Sequence, residues 1–338
     1  MIKKIAIMGA GSLGTILGAY LSKAGRDVML VDAYKEHVDA LNATGAHVVG
    51  KVEMTVPVKA CTPEEMDGVY DLIFYMAKQT FNDVAIPQIM AHMDEDTVVV
   101  TCQNGLPERA VSKSIGAERT FGAPVGWGAT FRGPGCSELT SSALAFYLGT
   151  LDGKITDKLL EVKTIMEDMC EVHVSENLMG LRWTKLLVNC TFSGLSACFG
   201  CTFGEIMDND QSMRLAVRLG HECRMVAQGQ GVKMEPHYGA GDLDKVFVWG
   251  DEATIANSMA TVRKAWTPHR ALVASMAQDL AHGRKCEINA INGVACESGA
   301  EVGVPTPVND TVVKVVTAIQ NGELKGSFDN LKYFEGLY

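Results

Sequence analysis

The sequence predicts an α/β fold: a doubly wound, mostly parallel sheet in the N-terminal half, followed by a mainly helical second domain. Three observations carry this. Short apolar strands alternate with amphipathic helices through the first half, a glycine-rich turn follows the first strand at once, and from about Lys154 strand-like runs give way to apolar residues at helical spacing. At 338 residues the chain exceeds what one hydrophobic core ordinarily organises. Two domains are therefore expected, residues 1–174 and 175–338.

The elements follow in order. Lys4–Met8 reads as a strand, Ser12–Ala24 as a helix, Val28–Asp32 as a second strand and Tyr34–Asn42 as a helix. His47–Val58 alternates apolar and polar residues, as an exposed strand or hairpin does. Tyr70–Met76 and Thr97–Thr101 are apolar runs of the buried parallel type, with a helix between them over Asn82–Met93. Arg119–Val125 and Leu144–Leu148 read as further strands. Beyond them, helices are expected over Ile155–Met169, Leu178–Cys198, Ser212–Gln228, Glu252–His282 and Cys286–Ala300.

Composition narrows the function. With 47% hydrophobic and 21% charged residues, whole-chain disorder is excluded. A formal net charge of -10 with no Lys/Arg cluster argues against a nucleic-acid or anionic-membrane partner. Most of the ten cysteines sit in apolar runs, which points to reduced, buried thiols in a cytoplasmic protein. The basic start Met1-Ile2-Lys3-Lys4 runs straight into the first strand, so no secretory signal is expected. The uncharged stretch Leu186–Gly204 carries Asn189, Thr191, Ser193, Gly194 and Ser196, which suits a buried helix better than a membrane span.

Gly9-Ala10-Gly11-Ser12-Leu13-Gly14 is a G-x-G-x-x-G between a strand and a helix. That context gives the motif its meaning. Gly9 permits the tight turn, Gly11 lets the backbone approach a pyrophosphate, and Gly14 lets helix pack on strand. Ser12 and Leu13 open the helix whose N-terminus faces the phosphates. The domain is therefore of the Rossmann type. Asp32, 18 residues after Gly14, is placed to accept from an adenosine ribose and to repel a 2′-phosphate. NAD is favoured on that ground; Lys35 close by leaves NADP open, and Asp32 could instead serve only to cap the next helix. In the second half, Lys185, Asn189 and Ser193 are spaced by four and share a helix face.

Taken together, the sequence resembles the ketopantoate reductase (2-dehydropantoate 2-reductase) family over nearly its whole length. The resemblance rests on the glycine loop, on Asp71 to Lys78, and on Gln103-Asn104-Gly105. It continues through Gly128-Ala129-Thr130 with Gly133-Pro134-Gly135 and the helix of Trp183, Lys185 and Asn189. It closes with Ser275 to Asp279, Glu287 to Gly293, and Gly303 to Asn309. It implies an oxidoreductase that reduces ketopantoate to pantoate with NAD(P)H, in pantothenate biosynthesis. It further implies that Lys185 is the general acid and that Glu287 helps hold cofactor and substrate. Lys78 and Asn104 would meet the cofactor, Asn104 at the nicotinamide end, while Asn189, Ser193 and Ser275 would line the substrate, with Ser275 on its carboxylate. The chemistry is coherent: hydride attack on a ketone builds negative charge on oxygen, and an ammonium both stabilises that charge and delivers a proton.

Two positions depart from the family pattern. Ser193 stands where the family commonly has a second asparagine, and Leu272 where it commonly has an asparagine three residues before the site serine. Each lost amide removes ~1 kcal/mol of hydrogen bonding to a hydroxylated substrate. The segment Gly239–Arg270 is also longer than usual and brings Trp249 and Trp266 near Ser275 in sequence. The alternatives are therefore a related dehydrogenase for a larger or less polar keto acid, in opine style, or a dinucleotide-bound sensor without turnover. A homodimer is expected. No metal site is expected: Cys198 and Cys201 form a lone C-x-x-C without a second pair.

Overall fold

The computed structural model describes residues 1–142, 144–237 and 240–338. They form two compact units, one of residues 1–103 with 107–178 and the other of residues 104–106 with 179–338.

The first unit is built on strands β1 (Lys4–Met8), β2 (Asp27–Val31), β3 (Ala46–Gly50), β4 (Met54–Val56), β5 (Lys59–Cys61), β6 (Leu72–Tyr75), β7 (Val98–Thr101), β8 (Thr120–Gly122), β9 (Ala129–Gly133), β10 (Cys136–Leu139), β11 (Ala145–Thr150) and β12 (Glu171–Val174). Its helices are α1 (Ser12–Lys23), α2 (Lys35–Thr44), α3 (Asn82–Met90), α4 (Glu108–Ile115) and α5 (Asp157–Met166). The main sheet runs β12-β11-β8-β7-β6-β1-β2-β5. It is parallel except where β11 meets β8. β1, β6 and β7 are buried along almost all their length. This is why they read as unbroken Val/Ile/Leu/Phe runs and not as alternating patterns. Burial of each such side chain stabilises the fold by roughly 1.5–3 kcal/mol. β1 and β6 are neighbours whose connections leave in opposite directions, to β2 and to β7. That reversal opens a crevice at the strands' carboxyl ends.

His47–Val58 is indeed a hairpin, β3 with β4, but it belongs to a separate four-stranded sheet in order β4-β3-β10-β9. The sequence reading missed β9 and β10 because residues 128–139 carry three glycines, which break the apolar alternation. β12 was also missed: Glu171 and His173 are exposed on an edge strand, so only Val172 is a buried apolar marker. The helix expected over Ile155–Met169 is α5, and it belongs to the first unit, on the N-terminal side of the expected boundary at residue 174.

The second unit holds α6 (Leu178–Val188), α7 (Gly194–Phe199), α8 (Phe203–Asp208), α9 (Asp210–Gly229), α10 (Leu243–Val246), α11 (Glu252–Trp266), α12 (Ser275–Ala281), α13 (Val294–Val302) and α14 (Pro307–Gln320). α9 is its spine. Asn209 caps it by accepting from Ser212 N at 2.9 Å. At Gly220 the helix needs no side chain, because a Cβ would sit 2.2 Å from the Phe247 ring. Glu252–His282 is not one helix. α11 stops at Trp266 because Pro268 follows in a short 3-10 turn, where its ring and missing N–H end the helical ladder. Two π-turns, Asn189–Ser193 and Asn289–Gly293, interrupt what otherwise reads as continuous helix. No helix among the described residues is long and apolar enough to cross a membrane.

Candidate active site

The glycine loop is shaped by close approach. Gly9 has φ +96°, in the region that favours glycine, and a Cβ there would lie 2.2 Å from Ala77 N. Its N–H and that of Ala10 both donate to Val31 O at 2.9 Å. A Cβ on Gly14 would stand 2.3 Å from Gly9 O. Gly11 is different: nothing lies within 4 Å of its Cβ position. The loop is therefore closed against its own unit at Gly9 and Gly14 and open at Gly11, the arrangement an incoming pyrophosphate requires. No side chain caps the first turn of α1, and no acidic residue stands there. The N–H groups of Ser12 and Leu13 thus begin the helix without a competing carboxylate. The residues fit a dinucleotide.

Three further candidates belong to the same unit. Asp32 is half-buried; its Oδ1 accepts from Tyr34 N at 2.9 Å. The carboxylate thus shapes the turn into α2 with one oxygen. Lys35, exposed, pairs with Asp39 at 2.7 Å, which holds it to its own helix. Lys78 is half-buried just beyond β6. His37 was missed. It is 1% exposed. Its Nδ1 accepts from Gly135 N at 2.9 Å, so Nε2 carries the proton and reaches Ala10 O at 2.8 Å. The signal was available, since His37 falls with Val38 and Leu41 on the buried face of α2.

The second unit carries the remaining candidates. Lys185 and Asn189 are half-buried, Lys185 in the last turn of α6 and Asn189 opening the π-turn that follows, with Ser193 closing it. The widened turn departs from the plain i, i+4 helix expected, yet keeps the three in one continuous helical stretch. Glu287 is 7% exposed and lies outside regular helix, two residues before the second π-turn. Its carbonyl accepts from Ile291 N at 3.1 Å. Asn104, half-buried, lies in the short 104–106 segment of the same unit. Ser275 is exposed at the first position of α12.

Trp266 is 2% exposed and lies in the core, stacked on Phe192 at 5.4 Å and on His237 at 5.1 Å. Trp249 lies under Arg218 at 5.2 Å. Gly239, the first residue of that longer segment, lies outside the described residues. Cys198 and Cys201 are buried, and burial pushes the Cys201 thiol up to about 12.

The model of the ketopantoate reductase PanE/ApbA family matches residues 5–153, and that of the family's C-terminal part matches residues 177–320. The chain belongs to the ketopantoate reductase PanE/ApbA family. It is accordingly an enzyme of an NAD(P)-dependent 2-keto acid reductase family. The 2-dehydropantoate 2-reductase of Streptococcus pyogenes serotype M6 is 28% identical over 318 residues, covering 93% of this chain and 97% of that protein. The PanE/ApbA family ketopantoate reductase from Ralstonia eutropha JMP134 superposes with a TM-score of 0.80 at 26% identity, over 95% of this chain and 99% of that one. D-mandelate dehydrogenase, in a ternary structure with NADH and anilino(oxo)acetate, shares the fold with a TM-score of 0.80 at 24% identity, again over 95% and 99%. As in other ketopantoate reductase family structures, a parallel α/β domain precedes a mainly helical one.

Proposed function

We propose that this enzyme reduces ketopantoate to pantoate, with NADH as the preferred cofactor and Lys185 as the general acid. The observation that carries the reading is the packing of two irregular turns in one unit. The turn that follows Lys185 meets the turn that follows Glu287, with Asn292 Nδ2 donating to Cys190 O at 3.0 Å. An ammonium and a buried carboxylate on adjoining segments suit an acid and its partner.

A bound nicotinamide dinucleotide would be held by the Gly9–Gly14 loop, Asp32, Lys78 and Asn104, and supplies the hydride. As charge builds on the substrate's carbonyl oxygen, Lys185 hydrogen-bonds that oxygen and gives up a proton to it, which completes the hydroxyl. Glu287 holds cofactor and substrate for this step. Asn189 and Ser193 orient the substrate, and Ser275 binds its carboxylate.

A second reading has its own support. Leu272 is 50% exposed and Val273 39% exposed, directly ahead of Ser275. This apolar lip suits a bulkier, less polar 2-keto acid, such as the aryl keto acids that correspond to the ligand of the D-mandelate dehydrogenase structure. The test is NADH and NADPH oxidation with ketopantoate and with benzoylformate, alongside Lys185→Ala. Ketopantoate turnover that Lys185→Ala abolishes supports the first reading. Turnover of benzoylformate alone selects the second. Tight NADH binding with no turnover of any keto acid sinks both and leaves a sensor. A homodimer belongs to the same proposal, and light scattering at twice the chain mass is its check.

A further inference from the structure

A π-turn widens a helix and frees backbone groups from their usual partners. In the second unit two such turns meet, and one side chain joins them. Asn292, within the Asn289–Gly293 turn, is fully buried. Its Nδ2 donates to the carbonyl of Cys190 in the Asn189–Ser193 turn at 3.0 Å. The Cys190 thiol answers toward Ile291 O at 3.6 Å. The second Nδ2 hydrogen goes to Asn309 Oδ1 at 2.9 Å. Asn309 Nδ2 in turn donates to Glu222 Oε2 at 2.8 Å. Glu222 also accepts the backbone N–H groups of Val308 and Asn309, each at 3.0 Å. It thereby caps α14, whose own N-cap residue Thr306 supplies no side-chain capping bond.

Asn292 is the branch point: its nitrogen donates both to Cys190 O and to Asn309 Oδ1, and Asn309 passes the line on to the Glu222 carboxylate, while Asn292 Oδ1 is buried and accepts no hydrogen bond among the described residues. The helix that follows the first π-turn leaves room for it, since a Cβ on Gly194 would lie 2.9 Å from Asn292 Oδ1. Fully buried polar groups contribute little net stability compared with apolar packing. What this set specifies is geometry, and the two π-turns it joins begin at Asn189 and two residues after Glu287.

We infer that Asn292 is a positioning residue: its amide locks the π-turn beginning at Asn189 to the π-turn after Glu287, and so sets the register between the helix of Lys185 and the segment of Glu287. The inference rests on the reading that Lys185 and Glu287 act in one step.

Asn292→Asp tests it with almost no change of shape, replacing the donating amide by an oxygen that faces Cys190 O and Asn309 Oδ1. Gly194→Ala displaces the same amide from the other side. Misplacement of a reacting group by about 1 Å costs on the order of 100-fold in rate. The expected result for each variant, with whichever keto acid the wild type reduces fastest, is a kcat lowered about 10- to 100-fold. The NADH dissociation constant should stay within about twofold and KM within about threefold, because uniform binding is untouched. A merely structural role would lower the active fraction and cofactor binding together and leave kcat per bound site unchanged. A kcat within about twofold of wild type in a folded Asn292→Asp and a folded Gly194→Ala overturns the inference. So does failure of both to fold, which would make Asn292 a folding residue only. Lys185→Ala is run in parallel: if it retains turnover, the underlying acid assignment fails separately, whatever Asn292 shows.

Discussion

The imidazole of His37 donates to the carbonyl oxygen of Ala10 at 2.8 Å, inside the glycine loop itself. Thr15 Oγ1 donates to the same oxygen at 2.6 Å, and on the far side of the ring Gly135 N donates to Nδ1 at 2.9 Å. One ring thus ties the Ala10 peptide, which precedes Gly11, to the turn between β9 and β10. His37→Phe keeps an aromatic ring against Phe131, whose centroid is 5.1 Å away, and removes the polar ties. Loss of the ring's bonds leaves buried groups unsatisfied, and stability should fall by ~1–3 kcal/mol. NADH affinity should weaken about tenfold, roughly 1.4 kcal/mol. Fluorescence titration of NADH with the folded variant checks this, and unchanged affinity would separate His37 from the loop's function.

Gly9 and Gly11 should fail in different ways. Gly9→Ala places a methyl 2.2 Å from Ala77 N on a backbone with φ +96°, so the fold should lose ~2 kcal/mol or more. Gly11→Ala meets no atom within 4 Å, so the unfolding midpoint should barely move while NADH binding is lost to the methyl in the pyrophosphate's place. Thermal melts paired with NADH titration distinguish the two. A Gly11→Ala protein that binds NADH normally would place the phosphates elsewhere.

Asp32 governs cofactor choice in this reading. Asp32→Ser retains an oxygen for Tyr34 N, which Asp32 Oδ1 now accepts at 2.9 Å, and removes the charge that repels a 2′-phosphate. The ratio of kcat/KM for NADH over NADPH should fall about 100-fold, roughly 2.7 kcal/mol. An unchanged ratio would reduce Asp32 to a turn-former.

The buried and half-buried thiols predict an alkaline limit. Burial pushes Cys201 and Cys296 up to about 12, and Cys61 and Cys170 up to about 11. Unfolding lets these thiols ionise near their ordinary value of 9.0. Between that value and the folded ones, the folded chain holds protons that the unfolded chain releases, so stability falls as pH rises through this window. Denaturant midpoints should be flat from pH 7 to about 8.5 and decline beyond it. Native thiol alkylation at pH 8 should be slow at these four positions, since the thiolate is the reactive form.

Much of this was legible in the sequence where one physical signal dominates. The strands from Lys4 to Met8 and from Leu72 to Tyr75 are apolar throughout because both sheet faces are covered, and the Gly9–Gly14 motif needs little context beyond its strand and helix. The break at Pro268 was readable but overridden by the helical period on either side. The π-turns were not readable, because a single widened turn leaves apolar spacing almost intact. The Asn292–Asn309–Glu222 line was hidden for another reason. Asn292 and Asn309 stand in segments already noted for their family resemblance. Only the fold brings them to a glutamate about 70 to 87 residues earlier, the wider of these separations being that of the Asn309–Glu222 bond.

The tie between His37 and Gly135 spans 98 residues of chain, and β3 waits equally on β10 for its parallel partner. A ribosome releases the glycine loop well before its partners, and the contacts that finish it become available only once the 129–139 hairpin has emerged. At synthesis rates of about 5–20 residues per second, the nascent chain therefore spends several seconds with its phosphate cradle incomplete, and NADH can assist folding of this unit only after that hairpin has been made.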